Sequence, residues 1–213
     1  MPVTKVQEII KGMQDAKSPS EYWRSCNIDF PELKATHQVM QRNGESVWTH
    51  TMRVIDLLAD AGPVALLSGL FHDLGKWCVQ PMDDPSLPRF PEHDRESALI
   101  AKVRLEEWGA SPDMTDGILR IVSTHMYDIR PTPTKKAIRA FVARVGRNNL
   151  RDWFLLRIAD SSSYDLPQKY RNRLIVPFQK AILSFVAKQP NDDQLPMHDM
   201  GTPGRMSIEG GDD

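Results

Sequence analysis

The chain has 213 residues, 40% of them apolar and 8% aromatic, which is enough for one hydrophobic core and too apolar for a wholly disordered polymer. Lysine and arginine number 27 against 28 aspartates and glutamates, so the formal net charge of −1 excludes a nucleic-acid binder held by overall charge alone. No apolar run approaches the roughly 20 residues of a membrane span, and the first residues lack the apolar block of a signal peptide. Cys26 and Cys78 have no metal-type spacing, so reduced thiols and a cytoplasmic location are expected.

Helical periodicity dominates from the start. Val3, Val6, Ile9, Ile10 and Met13 share one face of a first helix, which the Ser18-Pro19-Ser20 turn signal ends. Between residues 20 and 45, aromatic residues and Pro31 predict short helices joined by loops, without assignable bounds. Val47, His50, Val54, Leu57 or Leu58, and Ala61 then line one face of a helix. Gly62-Pro63 stops it and opens the next, because proline suits a first helical turn. That next run, VALLSGLFHDLGKW, is apolar nearly all round and is expected as a central buried helix. A loop from Gln80 to Pro91 follows, with Pro81, Pro85, Pro88 and Pro91. A helix from Arg95 to Trp108 should turn Ala98, Ala101, Leu105 and Trp108 inward. Asp113 is expected to cap a helix carrying Met114, Ile118, Ile121, Val122 and His125. Ile138, Phe141, Val142 and Val145 mark another, closed by Gly146. Leu150, Trp153, Leu156 and Asp160 share a face, and Phe178, Ala181, Ile182, Phe185 and Val186 mark a last helix. Strand alternation is absent. The expected fold is all-α, a bundle of about seven helices, with an N-terminal helix and linker over 1–29 and a mobile tail over 189–213.

The informative anomaly is polar residues where the pattern calls for aliphatic ones. His50 and His125 fall on core stripes, His72-Asp73 interrupts the most apolar run of the chain, and Asp160 interrupts another buried face. A buried carboxylate without a partner costs several kcal/mol, so Asp73 and Asp160 each need a strong partner inside. Arginine and lysine are scarce on these stripes, which leaves a metal ion as the cheapest partner. Imidazole and carboxylate ligands on separate helices suit Mn, Fe, Co, Ni or Zn, and no thiolate joins the set. Any one of these histidines by itself reads more readily as a hydrogen-bonded core residue. The joint occurrence of four histidines, these three and His93 near the start of the helix after the proline loop, with two aspartates favours the metal. His37 and His198 lack this context and read as surface residues, and Cys78 reads as packing.

His50, the doublet His72-Asp73 and the distant Asp160 resemble the H…HD…D signature of the HD-domain metal-dependent phosphohydrolases. The strings FPELKATHQVMQRNGESVWTHTMRVIDLL, LSGLFHDLGK, RFPEHDRESALIA, IVSTHM and IRAFVARVGRNNLRDWFLLRIADSS are similar to the HD domain of bacterial tRNA nucleotidyltransferases. They run from about Phe30 to Asp165, and the resemblance implies an HD phosphohydrolase domain over 30–188. Nothing before residue 30 resembles the polymerase head of those enzymes, and Asp83-Asp84 lies in a proline-rich loop, so CCA addition is not expected.

The resemblance implies hydrolysis of a nucleotide or RNA-end phosphate by metal-activated water, and a 2′,3′-cyclic phosphodiesterase with 2′-nucleotidase activity fits it best. A deoxynucleotide 5′-nucleotidase or a dNTP triphosphohydrolase is the alternative within the superfamily. A non-catalytic module that binds a nucleotide or a partner is the alternative of another class, and a structural helical protein with a satisfied polar core is a third. The implied metal ligands are His50, His72, Asp73 and Asp160, holding a divalent transition metal (Mn, Ni, Co, Fe or Zn, with Mg admissible), as one or two ions. His93 and His125 either complete a second metal position, with Asp73 as bridge and central catalytic group, or contact the substrate phosphate. Lys76 lies one helical turn from Asp73 and either reaches the scissile phosphate or satisfies carbonyls at a helix end. Arg95 and Glu96 either touch substrate or orient a ligand, Glu96 otherwise stabilising a first helical turn. The loop 80–92 reads as a lid or as disorder. Lys135, Lys136, Arg139, Arg144, Arg147 and Arg151 lack interleaved aromatic residues for base stacking, so RNA binding stays open, as does oligomeric state.

Overall fold

Four helices begin on a serine or threonine whose hydroxyl accepts the backbone N–H three residues on: Ser18 from Glu21, Ser46 from Thr49, Ser111 from Met114 and Thr134 from Ala137. The computed structural model describes residues 2–41, 43–79, 89–163 and 168–188. Among them the chain forms ten α-helices and no sheet. They are α1 (Lys5–Asp15), α2 (Pro19–Ser25), α3 (Pro31–Ala35), α4 (Val47–Leu57) and α5 (Pro63–Phe71), then α6 (His93–Glu107), α7 (Pro112–Val122), α8 (Lys135–Val145), α9 (Leu150–Ser163) and α10 (Gln168–Ala187). Short 3-10 turns occupy Thr36–Gln38, Leu74–Trp77 and Arg147–Asn149, and one isolated antiparallel bridge joins Met40 to Ser46.

The all-α expectation is met, with more helices than the seven or so expected. Part of the surplus is α2 and α3, the short helices expected between residues 20 and 45 without assignable bounds, whose seven and five residues are too few for a period of 3.6 to register. Other details differ. Val3 precedes α1 and is exposed, and Leu58, just past the end of α4, faces the core while Leu57 does not. Ser111 rather than Asp113 caps α7, leaving Asp113 in its first turn. On α6 the buried positions are His93, Ser97, Ala101 and Leu105, with Ala98 only half-buried. The proline loop over 80–88 and the segment 189–213 lie outside the described residues.

The most consequential difference concerns the central run. The helix does not continue through LFHDLGKW: α5 ends at Phe71, Asp73 takes φ −109° and ψ 3°, and Leu74–Trp77 winds as a 3-10 turn. The break follows from packing at Gly75. A Cβ there would stand 2.2 Å from the His93 carbonyl oxygen and 2.5 Å from the Ser97 nitrogen, so this turn lies directly against the start of α6. Gly75 N–H donates to Ser97 Oγ at 2.8 Å, which fixes the contact.

Every residue from Ala65 to Phe71 is buried, and α5 packs against α4, α6, α7 and α9. Trp23, Phe30, Phe71 and Trp108 pack on one another in one part of the core. Phe141, Trp153, Phe154 and Phe178 do so in another. Val6, Ile9, Ile10 and Met13 of α1 belong to the same apolar core as α5. Among the described residues no helix is long and apolar enough to cross a membrane.

Candidate metal centre

Each polar residue singled out on an apolar stripe is brought to the C-terminal end of α5. His50 comes from the middle of α4, and His72-Asp73 from the residues just past α5. His93 opens α6, His125 lies in the turn just past α7, and Asp160 projects from α9. All six are buried. Two groups of three, His50–His72–Asp73 and Asp73–His93–His125, could each hold a metal ion, and they share the Asp73 carboxylate.

The two oxygens of Asp73 divide the cluster. Oδ2 stands 3.5 Å from His50 Nε2 and 3.4 Å from His72 Nε2. Oδ1 stands 3.2 Å from His93 Nε2 and 3.6 Å from His125 Nε2. Asp160 Oδ1 joins the first half, 3.2 Å from His50 Nε2. Within each half the two ring nitrogens face each other, His50 Nε2 and His72 Nε2 at 3.1 Å, His93 Nε2 and His125 Nε2 at 3.2 Å.

The far sides of the rings fix what those nitrogens carry. His72 Nδ1 lies 2.7 Å from the Gly69 carbonyl, His93 Nδ1 2.7 Å from that of Phe90, and His125 Nδ1 2.7 Å from that of Val122. A carbonyl only accepts, so each Nδ1 bears a hydrogen, and in the neutral ring the Nε2 lone pair points into the cluster. For His50 the partner is Ser163 Oγ at 2.8 Å, whose own hydrogen goes to the Asp160 carbonyl at 2.7 Å, leaving Oγ to accept. Four lone pairs and two carboxylates thus converge. Facing lone pairs at 3.1–3.2 Å repel unless a cation lies between them, and that cation is either a metal ion or an extra proton per pair. Burial pushes the His72 imidazole down to about 4 in spite of the Asp73 carboxylate beside it, which disfavours the proton there. The donor set of imidazole nitrogen and carboxylate oxygen fits a divalent transition metal.

Burial alone would raise both carboxyls. The Lys76 ammonium, 2.6 Å from Asp73 Oδ2, outweighs it there, and at Asp160 the contact with His50 does so when His50 Nε2 carries the extra proton, so with that proton in place both sit below the usual carboxylate range. Lys76 therefore belongs to the cluster, but as an ion pair to Asp73 that also donates to Gln41 Oε1 at 2.8 Å. Arg95 and Glu96 are not brought into it: Arg95 is exposed, and Glu96 lines an open cavity of about 490 Å³ with Cys78, Val79, Pro91 and Glu92. Glu92 precedes His93 with φ 58° and ψ 14°, a left-handed conformation that non-glycine residues seldom adopt.

Three residues absent from the sequence expectation also take part. Ser163 orients His50, Gln41 holds Lys76, and Arg157 places NH1 3.4 Å from both Asp160 Oδ2 and the His125 carbonyl. Spacing offers a signal for two of them, since Arg157 and Ser163 flank Asp160 at three residues on either side, one helical turn each way. His37 stacks on Trp48 at the surface, outside the cluster. Compared with models of known protein families and with curated proteins, the chain matches none.

Proposed function

We propose that the chain is an HD-domain metal-dependent phosphohydrolase acting on a nucleotide or RNA-end phosphate. The observation that carries this reading is the convergence of four imidazole Nε2 atoms on the Asp73 and Asp160 carboxylates, with every Nδ1 already committed elsewhere. His50, His72 and Asp73 would hold one ion, joined by Asp160 from beside His50, and Asp73, His93 and His125 a second. Bound metal supplies charge neutralisation at a phosphate and activates water near neutral pH. The residues around it prepare the site. The hydrogen bonds to the Gly69, Phe90 and Val122 carbonyls and to Ser163 aim the nitrogens before any ion arrives. The burial of the six side chains keeps bulk water away and strengthens the local field. Lys76 keeps a positive charge at the cluster, where a phosphoryl oxygen could receive it.

The favoured reaction is opening of 2′,3′-cyclic phosphates with 2′-nucleotide phosphatase activity, on the strength of the similarity to the HD domain of the tRNA nucleotidyltransferases. Chelator-free protein assayed with 2′,3′-cyclic AMP, 2′-AMP, deoxynucleoside monophosphates and deoxynucleoside triphosphates, each with Mn²⁺, Co²⁺, Ni²⁺ or Mg²⁺, tests it. Turnover of the first two above the rest is expected. Turnover of the deoxynucleotides alone would replace the substrate assignment. No turnover of any, by protein with bound metal, would overturn the hydrolase reading.

A further inference from the structure

Two buried-side arginines of this protein behave very differently. Arg104 is saturated: Nε and NH2 meet the Glu32 carboxylate at 3.0, 2.8 and 2.7 Å, and NH1 meets Glu107 at 2.8 Å. Its guanidinium ties α3 to α6 and has a structural role complete in itself. Arg157 is starved by comparison. NH1 alone makes contacts, both at 3.4 Å, and Nε is buried with no hydrogen-bond partner among the described residues. Contacts at 3.4 Å lie at the outer limit of hydrogen bonding, and a buried donor left without an acceptor is costly. Its place is also distinctive. It bridges the Asp160 side chain and the His125 main chain, and at 24% side-chain exposure it is more open than His50, Asp73, Lys76 or Asp160.

The charges indicate what would satisfy it. Lys76 and Arg157 already balance Asp73 and Asp160, so each divalent ion added leaves two positive charges without a counterpart. We infer that Arg157 is a substrate ligand: the part of its guanidinium that stays accessible binds the oxygens of an incoming phosphoryl dianion beside Asp160 and the turn of His125. This rests on the hydrolase reading for its setting and assigns a binding role to a residue outside the metal ligand set. A guanidinium suits that task because its planar fork can give two parallel N–H bonds to a phosphate.

The test is titration of Mn²⁺-loaded protein with inorganic phosphate by calorimetry, for wild type, Arg157→Gln and Arg157→Lys, after Mn²⁺ affinity has been measured for each. Wild type should bind phosphate, and Arg157→Gln should bind it roughly 10- to 100-fold more weakly. Arg157→Lys, which keeps the charge and loses the fork, should fall between them, and Mn²⁺ affinity should stay within about threefold throughout. Equal phosphate affinity in wild type and Arg157→Gln would overturn the inference, as would failure of the wild type to bind phosphate. So would a parallel loss of Mn²⁺, which would make Arg157 a positioning residue for Asp160. Phosphate binding that depends on Arg157, in a protein that hydrolyses none of the nucleotides named above, would sink the hydrolase reading and leave Arg157 as a phosphate ligand without a substrate.

Discussion

The two halves of the cluster share Asp73 and differ in nearly everything else. The His50–His72 half has a second carboxylate, Asp160, and one of its rings is oriented by a side chain, Ser163, from a helix far along the chain. The His93–His125 half has only its share of Asp73, and both rings are oriented by the carbonyl three residues before them. The first half therefore depends on α4, α5 and α9 packing together, and the second on the start of α6, held against the 3-10 turn at Gly75, and on the turn after α7. The first half offers four ligand groups against three, since Asp160 adds to His50, His72 and Asp73, so it should bind a divalent ion more tightly than the second.

The largest effect should come from the shared residue. Asp73→Asn removes the carboxylate charge common to both halves. Metal binding by equilibrium dialysis should be lost at both positions, and any hydrolytic activity should drop more than roughly a thousandfold. Retention of one tightly bound ion would show that the halves are independent. The comparison sharpens with Asp160→Asn and His125→Gln: the first should abolish the tighter class of sites, and the second only the weaker.

Gly75→Ala comes next. Its Cβ would fall 2.2 Å from the His93 carbonyl oxygen, and the backbone there cannot yield cheaply. A loss of about 1–3 kcal/mol in urea unfolding is expected, with metal affinity falling more in the His93–His125 half. Unchanged stability would mean that the two turns are not in contact. Ser163→Ala should act on the opposite side, weakening metal binding in the His50–His72 half by about 10- to 100-fold and sparing the other.

The smallest effect is a pH profile that separates metal from proton as the cation between the rings. His72 titrates near 6.5 when unfolded and is pushed down to about 4 by burial in the fold. The unfolded chain therefore takes up the proton first. Stability from this residue is complete above about pH 6.5 and is lost as pH falls through 4. Asp73 and Asp160, held below their ordinary value of 3.8, add stability present above that value and lost on further acidification. Urea midpoints of chelated protein should be level from pH 8 to 6.5 and decline towards pH 4. A rise in stability on acidification from pH 6.5 would mean that the ring pairs take up protons in the folded state.

What could be read in the sequence follows the same division. His50 and Asp160 are legible because each interrupts a stripe of aliphatic and aromatic residues, where only a strong partner justifies a polar side chain. His72-Asp73 stands out because every residue from Ala65 to Phe71 before it is buried. The break after the doublet is not legible: LFHDLGKW has helical composition, and the Gly75 contact that ends the helix comes from a residue 22 positions away. Lys76 is placed near Asp73 by spacing alone, but its role as an ion pair depends on Gln41 from the loop before α4. Arg157 and Ser163 carry no hydrophobic anomaly, since an arginine at a half-buried helix position and a small serine at a helix end look ordinary until Asp160 is known to be a partner.

Anomalous diffraction at the zinc edge, from crystals grown without chelator and supplied with Zn²⁺, bears most directly on whether these side chains form a metal centre. A peak is expected about 2.0–2.2 Å from His50 Nε2, His72 Nε2 and oxygens of Asp73 and Asp160. At higher Zn²⁺ a second peak should appear beside His93, His125 and the other oxygen of Asp73. No peak at either position, with the ring pairs still 3.1–3.2 Å apart, would mean that protons hold the cluster together and that no metal chemistry occurs there.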